Sequence, residues 1–528
     1  MVFNSLSFLL FFPAVSLLYY LVPGKHQWKF LLFVSIFFYF YASLKFGLFL
    51  IGTTVTTYLA ATGIGRIGQY QDSVLKQKQQ NLTGRQTSAF KSRFKMRKKR
   101  ILVTALVFNF GILAFLKYFN FFSESLNRLF SAVRLLPALP TLRLMLPLGI
   151  SFYTFQAMGY LIDVYRGKYP PERNLTRLAL FLSFFPQIME GPIGRYNDLA
   201  PQLFEPRKFD YDRAKFGAQL MLWGYFKKVV IADRAGILVN AVYRSYTQYT
   251  GPQLAITAVI YAIQIYADFS GYIDIAAGAA QFMGIDLAKN FNRPYFSKSV
   301  AEFWRRWHIT LGAWFRDYLF YPVALSRTAQ RMGKFVRKHF LGGYAKNIPT
   351  FLGLAVVWVT TGLWHGAAWH YVLYGIYYGV LIILSILFRP VFDRVNRIFR
   401  IRTDGTFWKT FRVARTFVLV CIGFILFRAE SMAIALSMLQ SIFWMKHPAS
   451  HNSLLQGDFS RTDLVFLILS VGVLLAVSVL QRKHSLRKEL ASRSTALRWT
   501  IYCTAVLAIV FMGVFLSSDP IQFIYFQF

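Results

Sequence analysis

Long apolar segments alternate with short polar connections along nearly the whole chain. Most of the apolar segments approach the roughly 20 residues that an α-helix needs to cross the hydrocarbon core of a bilayer. Segment length therefore predicts an all-α polytopic membrane protein with about eleven transmembrane helices, built as one membrane domain over residues 1–528. The apolar stretches are Phe3–Val22, Trp28–Ser43, Phe46–Ile64, Ile101–Phe122, Leu144–Val164, Leu178–Ile193, Phe216–Val239, Leu254–Phe282, Phe351–Leu387, Phe417–Phe427, Leu464–Leu480 and Ile501–Leu516.

Three of these stretches need separate interpretation. Phe351–Leu387 is too long for a single crossing. Leu178–Ile193 contains Pro186 and ends in a Gly-Pro pair, which favours a broken or re-entrant helix. Phe3–Val22 lacks a basic start and a small-residue cleavage site, so we expect a retained span and not a signal peptide.

The chain is strongly basic, with 60 Lys and Arg against 22 Asp and Glu and a formal net charge of +38. The basic residues fall mainly between apolar segments, so we expect them to face membrane lipid and expect no nucleic-acid partner. Residues 65–100 form the densest basic segment, with eleven Lys or Arg and one acid, Asp72. Such a segment is typical of a cytoplasmic loop, which would leave the N-terminus outside; a merely solvated charge run is the alternative.

Cysteine and histidine spacing indicates neither a disulfide framework nor a metal site. The two cysteines, Cys421 and Cys503, lie inside apolar runs, and the eight histidines form no ligand pattern. We therefore expect no bound metal.

Ionisable side chains inside apolar segments are candidate functional positions, because they are costly in a membrane. Asp268 and Tyr272 lie one helical turn apart, close to a second carboxylate, Asp274. This polar stripe predicts either a cavity wall or a contact that holds two helices together. Glu190 and Arg195 flank the Gly-Pro break and form either a structural salt bridge or part of a site.

A second group of candidates lies between residues 302 and 317. His308 is one turn from Trp304, so it can point into a pocket while neighbouring arginines face phosphate, which guanidinium groups match well. An amphipathic helix at the membrane interface is the alternative interpretation. The candidates for substrate contact here are Trp304, Arg305, Arg306 and Arg316.

A third group is Trp364 and His365, surrounded by glycine, alanine and threonine. Small residues allow helices to approach closely. A neutral imidazole in a dry site can act as a general base. A lone buried histidine is equally well explained as a core residue, so the residues alone leave both interpretations open.

These stretches belong to a longer ordered pattern over nearly the whole chain. Its parts are Met1–Phe3, Leu146–Tyr153, Ile162–Gly167, Gly191–Ile193, Phe226–Val229, Asp268–Tyr272, Phe303–Ile309, Arg316–Leu319, Gly362–Gly366 and Phe427–Glu430. The pattern resembles the membrane-bound O-acyltransferase (MBOAT) superfamily, and within it the bacterial alginate O-acetyltransferase AlgI group. D-alanyl transferases of the DltB type are more distantly similar.

The resemblance implies an MBOAT-like helical body around a central tunnel in the bacterial inner membrane. An acyl group would move from a cytoplasmic donor, acetyl-CoA or alternatively an acyl carrier protein thioester, toward hydroxyls of an extracytoplasmic polysaccharide. No cofactor would be bound. An SGNH-type extracytoplasmic partner commonly completes this transfer.

The resemblance also assigns roles to individual residues. His365 matches the catalytic histidine and His308 a second functional histidine. We hypothesise that His365 is the general base and that His308 orients the acceptor or stabilises the oxyanion. Asp268 is a candidate to orient a histidine. The candidates for substrate binding are Asp268, Tyr272, Trp304, Arg305, Arg306, Arg316 and Trp364, with Arg305 and Arg306 expected on donor phosphates.

One stretch departs from the AlgI-like pattern. Leu325–Ala329 stands where such chains often carry a Gly-Gly-Asn-type loop, which leaves the donor or partner contact and the polymer open. The alternatives are D-alanyl transfer to teichoic acid, an acyl or glycolipid transporter without chemistry, and a scaffold whose partner performs catalysis.

Overall fold

The computed structural model describes residues 1–42, 44–77, 83–133, 139–142, 144–339, 346–444, 453–455, 457–482 and 484–515, and these contain helices but no strands. Helices follow the apolar segments because a chain in lipid must satisfy its backbone N–H and C=O groups internally. Side-chain caps accept backbone N–H groups at several helix starts: Ser5, Asn174, Ser299, Ser460 and Ser494.

The helices have the following bounds. They are α1 (Leu6–Leu21), α2 (Gly24–Ala42), α3 (Leu44–Gln77), α4 (Gly84–Val133), α5 (Ile150–Tyr165), α6 (Leu175–Ser183), α7 (Phe185–Ile188), α8 (Tyr196–Phe204), α9 (Tyr211–Tyr225), α10 (Asp233–Arg244), α11 (Gly251–Phe282), α12 (Val300–Arg306), α13 (Ile309–Phe315), α14 (Tyr321–Ala324), α15 (Arg327–His339), α16 (Ile348–His365), α17 (Trp369–Leu387), α18 (Arg389–Ile398), α19 (Thr406–Arg428), α20 (Met432–Trp444), α21 (Arg461–Leu480), α22 (Leu486–Ala491) and α23 (Thr495–Met512). Two segments are π-helical, Phe226–Ala232 and Arg316–Phe320, and two are 3-10 helical, Tyr246–Gln248 and Pro294–Phe296.

Eight helices among the described residues are long and apolar enough to cross a membrane: α3, α4, α11, α16, α17, α19, α21 and α23. Five stretches that were expected to cross the membrane give no helix of this kind in the described part of the chain, so the eight helices are fewer than the roughly eleven expected. Phe3–Val22 forms α1, an apolar helix of 16 residues, and Trp28–Ser43 falls mostly in α2, which is not among the eight. Leu144–Val164 yields a helix of only 16 residues, Leu178–Ile193 divides into α6 and α7, and Phe216–Val239 contains a π-helical turn. The long stretch Phe351–Leu387 forms two helices, α16 and α17, as its length predicted.

The chain divides into two compact units, Met1–Ala218 with Ala276–Ala288 (unit 1) and Gln219–Ile275 with Lys289–Phe528 (unit 2). The division falls inside α9 and α11. The expectation of a single domain over residues 1–528 stays a prediction.

Unit 1 contains the predicted broken helix, at α6 and α7. The side chain of Gln187 donates to the carbonyl of Pro192 and, at 2.9 Å, to Oε1 of Gln156, which satisfies polar groups next to the break. Gly149 has φ +70°, and a Cβ there would lie 2.2 Å from the carbonyl oxygen of Ile188. Only glycine allows this approach.

The basic segment 65–100 is mainly helical. It forms the end of α3 and the start of α4, while residues 78–82 lie outside the described residues. The predicted loop is therefore the helical end of two spans, and its cytoplasmic placement stays a prediction.

Unit 2 is organised by the antiparallel hairpin of α16 and α17. A Cβ on Gly362 would lie 2.4 Å from the carbonyl oxygen of Tyr371, and one on Gly375 would lie 2.2 Å from that of Trp358. These glycines let the two helices touch along their backbones, as the small residues predicted. Helix α19 then packs antiparallel to α17, since Tyr374 contacts Phe427 near the end of α19, whereas Tyr378, one turn later in α17, donates to the carbonyl of the earlier residue Val420.

Candidate active site

His365 is the last residue of α16 and is 5% exposed. The chain turns directly after it through Gly366, where a Cβ would lie 2.2 Å from the ring of Tyr371. The close turn therefore holds His365 between the two helices of the hairpin. Its ring contacts Tyr374 of α17 and Phe427 of α19, with centroids 5.5 and 5.0 Å away.

His308 lies between the short helices α12 and α13, outside the candidate spans, and is 3% exposed. Its φ of +45° is left-handed, a costly conformation for a residue other than glycine. Asn290 holds it there. The carbonyl of Asn290 accepts from the backbone N–H of Ile309 at 3.0 Å, and its Oδ1 lies 3.3 Å from Nδ1 of His308.

The two histidines contact a common side chain, Trp364. The centroid of the Trp364 ring lies 5.8 Å from that of His308 and 4.8 Å from that of His365. Phe269 of α11 covers His308 at 4.8 Å. Residues 57 positions apart in sequence thus meet at one indole, inside a mostly aromatic environment.

The hydrogen bonds of Asn290 favour one tautomer of His308. Oδ1 of Asn290 also accepts from the backbone N–H and the hydroxyl of Thr310, at 3.0 and 2.7 Å, so this oxygen is an acceptor, and we infer that Nδ1 of His308 carries the proton. Burial lowers the pKa of His308 to about 3. The imidazole is therefore neutral, and its Nε2 carries a lone pair that accepts hydrogen bonds.

Trp304 joins the same aromatic cluster, whereas the arginines beside it do not. Its ring lies 5.0 Å from Trp358 and 4.9 Å from Tyr378, and its Nε1 is buried without an acceptor among the described residues. Arg305 is exposed, and Arg306 pairs with Glu302 at 2.6 Å. The structure buries His308 and exposes Arg305, while contact of Arg305 or Arg306 with phosphate stays a prediction.

Arg316 lies away from the aromatic cluster. It is 58% exposed and pairs with Asp317 at 2.9 Å, in the π-helical segment after α13. Leu325–Ala329, the departure from the AlgI-like pattern, begins α15, where the hydroxyl of Ser326 accepts from the N–H of Ala329 at 3.1 Å.

The polar stripe on α11 forms a buried ion-pair network. Lys228 lies 2.7 Å from Asp268 and 2.8 Å from Asp233, and Lys227 lies 2.7 Å from Asp274. The lysines come from the π-helical segment, which approaches α11 closely: a Cβ on the nearby Gly224 would lie 2.6 Å from the carbonyl oxygen of Gly271 in α11. Asp268 thus pairs with a lysine of a neighbouring helical segment, a contact of the kind that one of the two predicted roles expects. Its predicted roles in substrate binding and in orienting a histidine stay predictions.

Tyr272 lies one turn further along α11 and is 3% exposed. Sequence reasoning named Asp268 and Tyr272 but missed Lys227, Lys228 and Asn290 as contributors. Lysines inside the apolar stretch Phe216–Val239 were a usable signal, because they need counter-charges from another apolar stretch. Asn290 gave no such signal, since its contacts are tertiary.

Glu190 and Arg195 lie in unit 1, where Glu190 is buried and 2% exposed. Arg195 lies 4.0 Å from the carboxylate of Asp163, which also pairs with Lys168 at 2.8 Å. Arg195 therefore takes part in a salt bridge within unit 1.

Comparison with known proteins connects this geometry to a family. The family model described as "MBOAT, membrane-bound O-acyltransferase family" matches residues 172–428, which include both histidines. The probable alginate O-acetylase AlgI of Pseudomonas aeruginosa is 32% identical over 89% of this chain and 81% of its own length. The chain belongs to the membrane-bound O-acyltransferase family. It is therefore a multi-pass membrane O-acyltransferase, and the resemblance of its motifs to that family is confirmed.

Other relatives of this O-acyltransferase carry different names. The peptidoglycan O-acetyltransferase of Helicobacter pylori is 27% identical over 100% of this chain and 98% of its own length. The teichoic acid D-alanyltransferase of Bacillus subtilis is 30% identical over 54% of this chain and 69% of its own length. The family is thus shown, while its members differ in acyl group and acceptor.

Proposed function

We propose that this O-acyltransferase moves an acetyl group from a cytoplasmic thioester toward hydroxyls of an extracytoplasmic polysaccharide, with His365 as its general base. The observation that carries the proposal is the meeting of two buried histidines at Trp364, inside the part of the chain that matches the family. Such a buried site excludes competing water, and histidine acts as a general base in its neutral imidazole form.

The proposed step moves one proton and replaces the C–S bond of the thioester with the C–O bond of an ester. The acceptor hydroxyl gives its proton to His365 while its oxygen bonds to the carbonyl carbon of the thioester. The C=O electron pair moves to the oxygen, and its return breaks the C–S bond. The proton then passes from His365 to the departing sulfur, so that the products are an ester and a free thiol. General base help of this kind is worth ~10²–10⁴ in rate.

His308 would orient the acceptor. The sequence left two roles open for it, but a neutral imidazole whose Nδ1–H points to Asn290 offers a lone pair and no proton at Nε2. It can accept a hydrogen bond from a second hydroxyl of the acceptor, because the single proton of the attacking hydroxyl goes to His365, whereas an oxyanion needs a donor. The proposed contacts of the substrate remain Asp268, Tyr272, Trp304, Arg316 and Trp364. Arg305 and Arg306 remain proposed contacts of donor phosphates.

The charge distribution of unit 2 supports an extracytoplasmic acceptor. Residues 389–415, at the end of the hairpin away from His365, hold eight Lys or Arg and two Asp. The turn next to His365, residues 366–368, holds no charge. Because basic connections favour the cytoplasm, His365 would lie toward the opposite face.

The names of the relatives support acetyl transfer to a polymer, but the finer assignments are ours. We infer acetyl-CoA as donor, with a carrier-protein thioester as the alternative. The location would be the bacterial inner membrane, and an SGNH-type partner would complete transfer to the polymer. The AlgI-like relative covers more of this chain than the D-alanyltransferase does, which favours acetyl over D-alanyl.

The test is acyl transfer by purified protein in lipid, with radiolabelled acetyl-CoA and a polysaccharide acceptor. We expect label in the polymer or in a partner hydroxyl, and a loss of ~10²–10⁴ for His365→Ala. His370→Ala, which removes another buried histidine of the hairpin, is the matched control. Normal turnover by folded His365→Ala would overturn the assignment and favour a scaffold. Acetyl that crosses the membrane unchanged would favour a transporter, and label transfer only from D-alanyl carrier protein would favour the teichoic acid reaction.

A further inference from the structure

Helix α18 has two sharply different faces. Its apolar residues repeat at intervals of three and four positions and are all exposed: Val391, Phe392, Val395, Ile398 and, just after the helix, Phe399. Ile398 and Phe399 expose 65% and 73% of their surface. No side chain of α18 is buried in the protein. The exposed apolar face of α18 is therefore suited to contact an apolar medium outside the protein.

The opposite face of α18 is basic. Arg389, Arg394 and Arg397 are exposed there, with Arg400 directly after the helix and a single acid, Asp393, 3.9 Å from Arg389. Hydrophobic and cationic residues are therefore separated around the helix axis. This is the pattern of helices that lie in the plane of a membrane surface.

The position of α18 brings it to that surface. It connects α17 and α19, which are both long and apolar enough to span a membrane and which run antiparallel. Only one residue, Phe388, separates it from α17. A helix that begins where a span ends starts at the boundary between lipid and water, so its apolar face can continue into the lipid that surrounds α17.

The helix also ends in a defined way. Arg400 adopts a left-handed φ of +47°, and the N–H of Ile401 donates to the carbonyl of Asn396 at 2.9 Å. This closure is the helix stop usually made by glycine. It returns the chain toward α19 and leaves α18 short enough to lie between two neighbouring spans.

We propose that α18 is a membrane-surface helix that recognises anionic lipid headgroups of the cytoplasmic leaflet. Its apolar face inserts among the acyl chains, while Arg389, Arg394 and Arg397 contact lipid phosphates. The basic balance of residues 389–415 matches the negative charge of that leaflet. An acidic protein partner fits the arginines but not the apolar arc beside two spans, which favours lipid.

The first test measures which side of α18 is in lipid. Nitroxide labels would be placed singly at Val391, Phe392, Arg394, Val395, Arg397 and Ile398, in the full chain with Cys421→Ala and Cys503→Ala, and the protein reconstituted in phosphatidylcholine–phosphatidylglycerol vesicles. We expect oxygen accessibility at residues 391, 392, 395 and 398, and accessibility to a water-soluble nickel reagent at residues 394 and 397. An unchanged unfolding temperature in detergent shows that each labelled protein is folded.

The second test measures the charge preference with spin-labelled phosphatidylglycerol and phosphatidylcholine. The triple variant R389Q/R394Q/R397Q should lose preference for phosphatidylglycerol, by up to about fivefold for each arginine. The matched control R389K/R394K/R397K keeps the charge and should keep the preference. Asp393→Asn, which removes the one acid of this face, should raise it.

Two results would overturn the proposal. Nickel accessibility at every position of α18 would mean that water, or a soluble partner, covers the apolar face. An unchanged phosphatidylglycerol preference in the glutamine variant, with the labels still showing lipid on one face, would reject recognition of anionic headgroups. Neither result depends on the chemistry at His365, so these tests and the test of the proposed function have independent outcomes.

Discussion

Two regions of unit 2 bury polar groups in different ways. At the histidine site, His308 and His365 are surrounded by aromatic rings, and His308 is neutral. At the lysine–aspartate network, Lys228 lies between the carboxylates of Asp233 and Asp268. Both regions use α11, since Phe269 covers His308 and its neighbour Asp268 binds Lys228. One helix therefore serves both regions.

The difference gives the two regions different expected roles. A buried charge is tolerated only when it is paired, and pairing commits its hydrogen-bonding capacity to the protein. A neutral imidazole tolerates burial without a counter-ion and still offers a lone pair to a substrate. We therefore expect substitutions in the network to reduce stability and substitutions at the histidines to reduce turnover.

The largest effect of this kind should come from Lys228→Met. This substitution removes the ammonium group that the carboxylates of Asp233 and Asp268 share, and it leaves these two buried carboxylates next to each other. Removing one partner of a buried ion pair in this way lowers the free energy of unfolding by ~3–5 kcal/mol. We expect a lower unfolding temperature in detergent and a reduced yield of folded protein. The triple variant K228M/D233N/D268N, which removes all three charges, should recover much of the loss. A Lys228→Met protein that is stable but inactive would mean that Lys228 takes part in the reaction. It would contradict the expectation that the lysine–aspartate network serves stability alone.

The next largest effect should come from two substitutions that distinguish the roles of Nδ1 and Nε2 of His308. His308→Gln places an acceptor oxygen near the position of Nε2, whereas His308→Asn keeps only the donor toward Asn290. A buried hydroxyl left without its acceptor loses about 1–3 kcal/mol, so kcat should fall by about 5- to 150-fold in His308→Asn. His308→Gln should retain more activity. The reverse order of the two variants would assign His308 a structural role through Nδ1.

A smaller and pH-dependent effect should follow from Asn290→Asp. The new carboxylate can accept the same hydrogen bonds, but a negative charge beside His308 raises its pKa by about 1–3 units. In the native protein His308 stays neutral down to a pH near its pKa of about 3. In the variant, Nε2 becomes protonated as pH falls through the raised pKa and no longer accepts the hydroxyl.

The measurement is the pH profile of kcat/KM, whose acid limb should move to higher pH in Asn290→Asp. Thr310→Val is the matched control, because it removes another hydrogen bond to Asn290 without adding charge. An acid limb that stays at the same pH in both variants would argue against His308 as an acceptor of hydrogen bonds in the reaction.

The smallest effect on stability should come from the outer ion pairs. Arg316→Gln breaks an exposed pair with Asp317, which is worth about 0–1 kcal/mol. The unfolding temperature should stay nearly unchanged. A raised KM for the acyl donor in this variant, with normal kcat, would support a phosphate contact, whereas an unchanged KM would remove Arg316 from the proposed donor site.

Much of the secondary structure was predictable from the sequence. Spans such as α19 and α21 follow from apolar length alone, because lipid forces the backbone to satisfy its own hydrogen bonds. The breaks were harder to predict. Pro186 indicated one of them, but the π-helical turn at Phe226–Ala232 has no simple sequence signal, since it depends on how its lysines reach the carboxylates of α11.

The candidate site was predictable in its residue types and not in its contacts. His308, His365 and Trp364 could be named from their sequence surroundings and from the family resemblance. Asn290 could not, because its effect on His308 depends on a left-handed backbone and on a hydrogen bond between residues 18 positions apart.

The sequence by itself determined that this protein is a helical membrane protein, where its apolar segments lie, and that two histidines stand among its motifs. These properties depend on the local composition and length of the chain. The tertiary structure alone decided that both histidines contact Trp364, that Asp268 pairs with Lys228, and that His308 offers its lone pair at Nε2. Each of these depends on distances between segments far apart in sequence, which are set by the packing of the helices.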